Sequence, residues 1–320
     1  MSKVNLLVLS CGTRNLLVRY FRNCFECVVG TDCSHLAPAL YECDAHYIVP
    51  EMNDRRYLQS IIDICESENI TAILPLQEDE LKLISESRCI FENIGVKVLV
   101  SNISVINLCR DKIAFYDFLC NNNMPTLKTW SNLDDFYRDL TCNNAKFPVF
   151  VKPRFGMGSK NTGIVKTLED LQCRYKNTSG LLIQEYCDGE EYGADVYCDM
   201  ISGEVIDISI KKKIRMRAGE TDKALSIKDS MCDALIIKLV NELKPIGEID
   251  IDIFKKEGQY YISEVNPRFG GGFPHSYLSG MNVPMYIYSN LNGVTCDNHI
   301  NDEKKQIYTM KYSSIMLVDK

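Results

Sequence analysis

Residues 246–272 read IGEIDIDIFKKEGQYYISEVNPRFGGG, two runs of apolar–polar alternation on either side of the turn Lys255-Lys256-Glu257-Gly258. A period of two marks a strand with one buried face, and two such runs joined by a Gly-bearing turn predict a hairpin. Ile249, Ile251, Ile253 and Ile262 take the core face. Asp250 and Asp252 share the opposite face, and Glu264 and Asn266 share one if the extended conformation persists to Pro267. In the right register the two sets stand side by side. Oxygen ligands of this kind suit a hard divalent cation such as Mg2+, which binds together with substrate phosphates. Arg268, two residues further on, suits phosphate recognition. The alternative is a solvent-facing acidic hairpin, but this polar face is richer in one kind of ligand than ordinary surface.

A chain of 320 residues has room for two domains, or for one large domain with subdomains. Apolar residues at 46% and charged residues at 25% give an ordinary globular profile. No apolar run reaches the roughly 18–20 residues of a spanning helix, so no membrane partner is expected. The opening MSKVNLLVLS lacks a small-residue cleavage site and reads as a first buried strand, which gives a cytoplasmic expectation. Fifteen scattered cysteines suit reduced core residues. Cys24 and Cys27, followed by Cys33 and Cys43, lack the paired spacing of a structural zinc site. A net charge of −7 argues against a nucleic-acid partner. The basic run Lys211-Lys212-Lys213-Ile214-Arg215-Met216-Arg217 is local.

Strand and helix signals alternate over the first hundred residues, with strands at 4–9, 25–30, 46–49, 72–76 and 97–100 and helical spacing at 16–21 and 55–68. Such alternation predicts a parallel sheet covered by helices. The loop Ser10-Cys11-Gly12-Thr13-Arg14 has one glycine where the dinucleotide fingerprint has three, so this part reads as a scaffold or substrate wall. Ser104 is the expected N-cap of a helix over 105–120, and a further helix is expected at 133–140. Strands follow at 147–152, 163–166, 181–185, 192–200 and 205–211, then a helix over 227–244 and the acidic hairpin. The tail after Asn292 carries no assignable pattern.

The loop Pro153–Asn161 holds Gly156, Met157, Gly158 and Ser159 between two strands. Its glycines allow close backbone approach to an anion, as in a phosphate-covering flap, or form a plain surface hairpin. Lys152 emerges from an apolar strand just before it, and a bound phosphate would offset the cost of burying that ammonium. Gln184, Glu185 and Tyr186 end a strand that breaks at Asp188-Gly189 and resumes with Glu190 and Glu191. Extended backbone there could meet a planar base edge and the carboxylates a ribose; the alternative is a hairpin with an acidic tip.

Taken in order, Asp111-Lys112, Val151-Lys152-Pro153, the glycine loop, Gln184-Glu185-Tyr186, Glu190-Glu191-Tyr192 and Glu264-Val265-Asn266-Pro267-Arg268 resemble the ATP-grasp superfamily. Within it they look most like carbamoyl-phosphate-synthase-large-subunit-like carboxylate–amine ligases. The resemblance runs from about residue 104 to 275. It implies an α/β fold: a Rossmann-like parallel-sheet (pre-ATP-grasp) domain at 1–103, then a two-subdomain α+β ATP-grasp fold. The latter divides into an N-terminal subdomain with the phosphate flap (104–182) and a C-terminal subdomain with the metal site (183–292), followed by a tail (293–320).

It also implies roles. Lys112 and Lys152 would meet the phosphates of ATP, under a flap of Gly156, Met157, Gly158 and Ser159. Gln184, Glu185 and Tyr186 would lie at the adenine and Glu191 at the ribose. Asp252, Glu264 and Asn266 would hold one or two Mg2+ ions, with Asp250 the alternative to Asp252. Arg268 would act on the transferring phosphoryl group, aided by Lys211 and Arg215, with Lys213 and Arg217 in the same run; a solvated basic edge is the alternative for that run. The synthase subunit has two such halves and this chain has one, with no glutaminase segment. The implied reaction therefore joins a small-molecule or amino-acid carboxylate to an amine through an acyl phosphate. A kinase-like phosphotransferase and a non-catalytic ATP-binding module are the other expectations, and a homodimer is the default for a soluble oligomer.

Overall fold

The structure is a computed structural model that describes residues 3–156, 161–300 and 306–318. Its first sheet is parallel. Strands β1 (Asn5–Leu9), β2 (Cys27–Asp32), β3 (Ala45–Ile48), β4 (Ala72–Pro75) and β5 (Lys97–Val98) lie in the order β3-β2-β1-β4-β5, with helices α1 (Asn15–Arg22), α2 (Tyr57–Ser67), α3 (Glu78–Glu86) and α4 (Arg88–Asn93) between them. The continuous apolar run of β1 is explained by burial on both faces. Leu7 and Leu9 pack with Ile61, Ile73, Ile84 and Phe91, while Leu6 and Val8 pack with α1 and with Phe269, Phe273 and Ile287 from near the far end of the chain.

Helices α5 (Ile103–Arg110) and α6 (Lys112–Asn121) lead into a four-stranded antiparallel sheet. It comprises β6 (Thr129–Trp130), β7 (Val149–Pro153), β8 (Gly163–Val165) and β9 (Leu181–Glu185), with α7 (Leu133–Thr141) after β6 and α8 (Leu168–Asn177) after β8. The single helix expected over 105–120 is two helices. Asp111 leaves the helical region (φ −93°, ψ 97°) and caps α6, its carboxylate accepting from the N–H groups of Ile113 and Ala114. The preceding N-cap is Asn102, not Ser104.

The third sheet is antiparallel and holds the acidic hairpin. It is built from β10 (Glu190–Cys198), β11 (Val205–Arg217), β12 (Glu220–Ile227), β13 (Gly247–Lys256), β14 (Gln259–Asn266) and β15 (Tyr308–Met310) in the order β14-β13-β10-β11-β12-β15. Helices α9 (Ser230–Leu243), α10 (Phe273–Leu278) and α11 (Val283–Leu291) complete the chain. Residues 227–229 precede α9, because Ile227 ends β12 and Asp229 caps the helix. The stretch 270–279 contains α10, and the tail supplies β15. One face of this sheet is apolar: Ala194, Val196, Ile208, Ile210, Ile249, Ile251, Ile253 and Ile262 pack with Ile236, Leu239, Phe115 and Leu119. At roughly 1.5–3 kcal/mol for each fully buried large side chain, this packing fixes which face of β13 and β14 is left for polar groups. No helix among the described residues is long and apolar enough to cross a membrane.

Candidate active site

The β13–β14 turn is shorter than the four residues read from the sequence. Glu257 and Gly258 (φ 51° and 82°) form a two-residue loop with both φ values positive, the type I′ pattern that matches strand twist. That loop pairs Lys256 with Gln259 and Ile253 with Ile262, and a bulge at Ser263 then shifts the register by one residue, so that Asp252 stands opposite Glu264 and Asp250 opposite Asn266. The four expected oxygen ligands therefore occupy adjacent positions on one face. Asn266 Nδ2 donates to Asp250 Oδ2 at 3.4 Å, and Arg268 Nη2 donates to Asn266 Oδ1 at 3.4 Å. Burial pushes the Asp250 carboxyl up to about 6, with Asp252 and Asp195 adding to the effect. Burial also raises Glu264, while Lys112 and Lys152 pull it back down.

Lysines from three elements reach this acidic face. Lys112, first residue of α6, lies 3.9 Å from Glu264 Oε1 and donates to the Gly156 carbonyl at 2.9 Å. Its position is fixed by the Asp111 cap, which Arg154 grips with two hydrogen bonds of 2.7 and 2.6 Å. Lys152 on β7 is 6% exposed; burial lowers its proton affinity, with Glu264 and Asp252 opposing. Lys213 on β11 pairs with Asp252. Burial would lower it, but Asp252 outweighs burial and holds it above the usual lysine range. Gly193, between β11 and β13, gives the Lys211 and Lys213 stems room to cross it. Among the described residues no group of three His, Cys, Asp or Glu side chains forms a ready-made metal cage. Two carboxylates and an amide oxygen fit Mg2+ that keeps its remaining positions for phosphate and water.

The other expected residues are distributed less evenly. Lys211 is buried against Asp195 and Ser276 beneath Gly272. Arg215 is exposed, 3.9 Å from Asp222. Gln184 turns into the core and donates to Thr129 Oγ1 at 2.9 Å. The Glu185 N–H donates to the Lys128 carbonyl, and Glu185 with Leu127, Cys187, Lys256, Glu257 and Tyr261 lines a cleft of about 270 Å³. Tyr186 follows directly on the end of β9. Glu191 is opposite Phe254, which lies two residues beyond Asp252 on the same face. Met157, Gly158 and Ser159 lie outside the described residues.

Two parts of the site were not read as such in the sequence. Asp195 stands between Asp250 on β13 and Ser209 on β11, and no local motif marks it. Arg14 reaches the site from the loop after β1, where burial lowers its proton affinity, Glu220 and Asp250 counteract, and Arg268 adds to the lowering.

Residues 109–272, just over half the chain, match the ATP-grasp domain family, and residues 6–99 match the PylC-like N-terminal domain. The chain belongs to the ATP-grasp family. It is 26% identical over 246 residues to a carbamoyl-phosphate synthase of Methanobrevibacter smithii, covering 71% of this chain and 64% of that one. It is 24% identical to the carbamoyl phosphate synthase large chain of Thermoplasma acidophilum, over 67% of this chain but 23% of that one. The chain thus spans less than two thirds of either relative. The fold is also that of the biotin carboxylase domain of Hydrogenobacter thermophilus 2-oxoglutarate carboxylase (TM-score 0.79, 17% identity, 96% of this chain and 74% of that one), whose structure holds MgADP and bicarbonate.

Proposed function

We propose that the chain is an ATP- and Mg2+-dependent ligase that joins a small-molecule carboxylate to an amine through an acyl phosphate. The observation that carries this reading is the pairing of Asp252 with Glu264 on one sheet face, with Lys112 and Lys152 beside them and Arg268 beyond Asn266. Membership of the ATP-grasp family and the MgADP and bicarbonate of the Hydrogenobacter structure support it.

Mg2+ held by Asp252, Glu264 and Asn266, with Asp250 as a further candidate, would draw charge off the phosphates of ATP. Lys112 and Lys152 bind and orient the phosphates, exchanging their present carboxylate neighbours for phosphate oxygens. Burial strengthens that exchange, because charges removed from water interact more strongly. The cleft at Glu185, Cys187 and Tyr261 takes the base, with Glu191 as the carboxylate for the ribose. Arg268 presents a planar fork to the reacting carboxylate or the phosphoryl group. Catalysis is positioning and charge neutralisation, with no protein nucleophile.

The test is ADP release from Mg-ATP with a panel of carboxylic acids, with and without hydroxylamine as trap. Hydroxamate formation that depends on one acid supports the ligase. ADP release that depends on a hydroxyl compound and yields no hydroxamate contradicts it.

A further inference from the structure

Arg14 sits at the carboxyl end of β1, beside β4, where the strand order of the first sheet reverses and open α/β sheets receive ligands. The loop that carries it is held in place: Ser10 and Gly12 take positive φ (48° and 50°), and the Gly12 N–H donates to Asp32 Oδ2 at 2.9 Å. From there the guanidinium crosses to the third sheet and lies 3.2 Å from Glu220 Oε1.

Glu220 is the meeting point of several cations. Lys311 lies 2.7 Å from its other oxygen. Burial would raise the Glu220 carboxyl, but Arg14, Lys311 and Arg268 hold it below the usual carboxylate range. Two cations from separate parts of the chain, Arg14 and Lys311, thus hold the one Glu220 carboxylate, leaving one positive charge in excess. The Gly270-Gly271-Gly272 run makes room: a Cβ on Gly271 would run into Glu220, and one on Gly270 into Asp250. Glu220 is also the member best able to leave. Its side chain is 42% exposed, and it follows the two-residue Ala218-Gly219 turn.

We propose that Arg14, with Lys311, forms a subsite for a second, non-reacting carboxylate of the acid substrate, and that Glu220 occupies this subsite until the substrate displaces it. The proposal rests on the ligase reading and narrows its substrate to a short dicarboxylic acid, an acidic amino acid included. The geometry supplies the spacing. Gly270 abuts Asp250 and the next residue, Gly271, abuts Glu220, so the cluster lies on the Asp250 side of the Asp252–Glu264 pair, with Asp250 and Asp252 about 7 Å apart along β13. An acid of succinate or glutamate size reaches from one to the other. Arginine is the suitable anchor because its fork takes a carboxylate through two hydrogen bonds.

The test is calorimetric titration of succinate, L-glutamate, butyrate and inorganic phosphate into the full chain with Mg-ADP, in wild type, Arg14→Gln and Glu220→Gln. At least one diacid should bind wild type about 10-fold or more tighter than butyrate, and Arg14→Gln should lose that preference. Glu220→Gln should bind the same diacid more tightly, by about 5-fold or more, since its own competitor is gone. Unchanged Mg-ADP affinity in both variants shows that they fold and keep the nucleotide site. Equal binding of diacid and butyrate overturns the proposal. So does a diacid affinity that Arg14→Gln leaves intact or Glu220→Gln weakens, or phosphate binding without diacid binding. Mg-ADP binding with no diacid binding removes the proposal alone; absence of Mg-ADP binding removes the ligase reading and the proposal with it.

Discussion

Asp252 and Glu264 face each other across the β13–β14 pair, and each meets a lysine from outside the hairpin: Lys213 at Asp252, and Lys112 at Glu264. The carboxylates already have cationic neighbours, so a change in either one exposes the balance of the site more than the stability of the fold.

Glu264→Gln keeps the shape of the side chain and removes its charge. Burial disfavours the charged form in the free protein, so the amide is tolerated. Turnover should fall about 100-fold or more, as for loss of a charge-stabilising group at a reacting phosphate. Unfolding free energy should move by less than about 1 kcal/mol. Steady-state ADP release and urea titration on the same samples check both, and wild-type turnover would remove Glu264 from the metal set.

Asp111 caps α6 and aligns Lys112 with the phosphate site. Asp111→Ala should cost about 1–2 kcal/mol of stability, in line with loss of a helix N-cap. It should also raise KM for ATP, because Lys112 loses its anchor. Asp111→Asn should restore most of the stability, since asparagine caps as well, but not the grip of Arg154. Denaturant titration and ATP kinetics of the pair separate the two roles.

Gly272 lies against the Lys211 stem, and Gly270 against the Asp250 carboxylate. Neither has a positive φ, so glycine is needed there for close approach and not for backbone conformation. Gly270→Ala should therefore cost about 1–3 kcal/mol as an overpacked contact. Gly280→Ala is the contrasting control: nothing lies within 4 Å, and its φ of 112° places the cost in the backbone alone. Equal stability of Gly270→Ala and wild type by urea titration would show that the glycine run is not under packing constraint.

Glu248 is buried beside Asp195, and among the described residues neither of its carboxylate oxygens has a partner in good hydrogen-bond geometry. Burial raises its proton affinity well above the usual range, and Asp195 adds to this. A carboxyl raised on folding contributes stability that is fully present below its unfolded value of about 4.3 and is lost as pH rises through the folded value. The melting temperature of wild type should accordingly fall relative to Glu248→Gln as pH is raised from 6 to 9, at constant ionic strength. A wild-type melting temperature that holds level or rises relative to Glu248→Gln over that range would contradict the buried neutral carboxyl.

The hairpin was legible in the sequence from its alternation, but not its register at the site: a two-residue turn alone would set Asp252 opposite Ser263, and only the bulge there puts Ile262 and Glu264, two residues apart, on opposite faces. The break at Asp111 was not, since apolar spacing continues from Val105 to Leu119 across it and only the backbone dihedral reveals two helices. Helix α8 is charge-rich with Leu171 as its one fully buried residue, so it carries little helical periodicity. Gln184 shows the limit of local pattern: its amide serves Thr129, 55 residues away. The pairing of Arg14 with Glu220 joins residues from different sheets, and no spacing rule spans such a separation.

The most direct test of acyl-phosphate chemistry is oxygen transfer. The acid that supports ADP release is labelled with 18O in its carboxylate and incubated with Mg-ATP and the accepting amine. Mass analysis of the released phosphate should find one 18O per amide formed. Amide accompanied by unlabelled phosphate would mean that the carboxylate never attacks phosphorus, and would contradict the ligase mechanism.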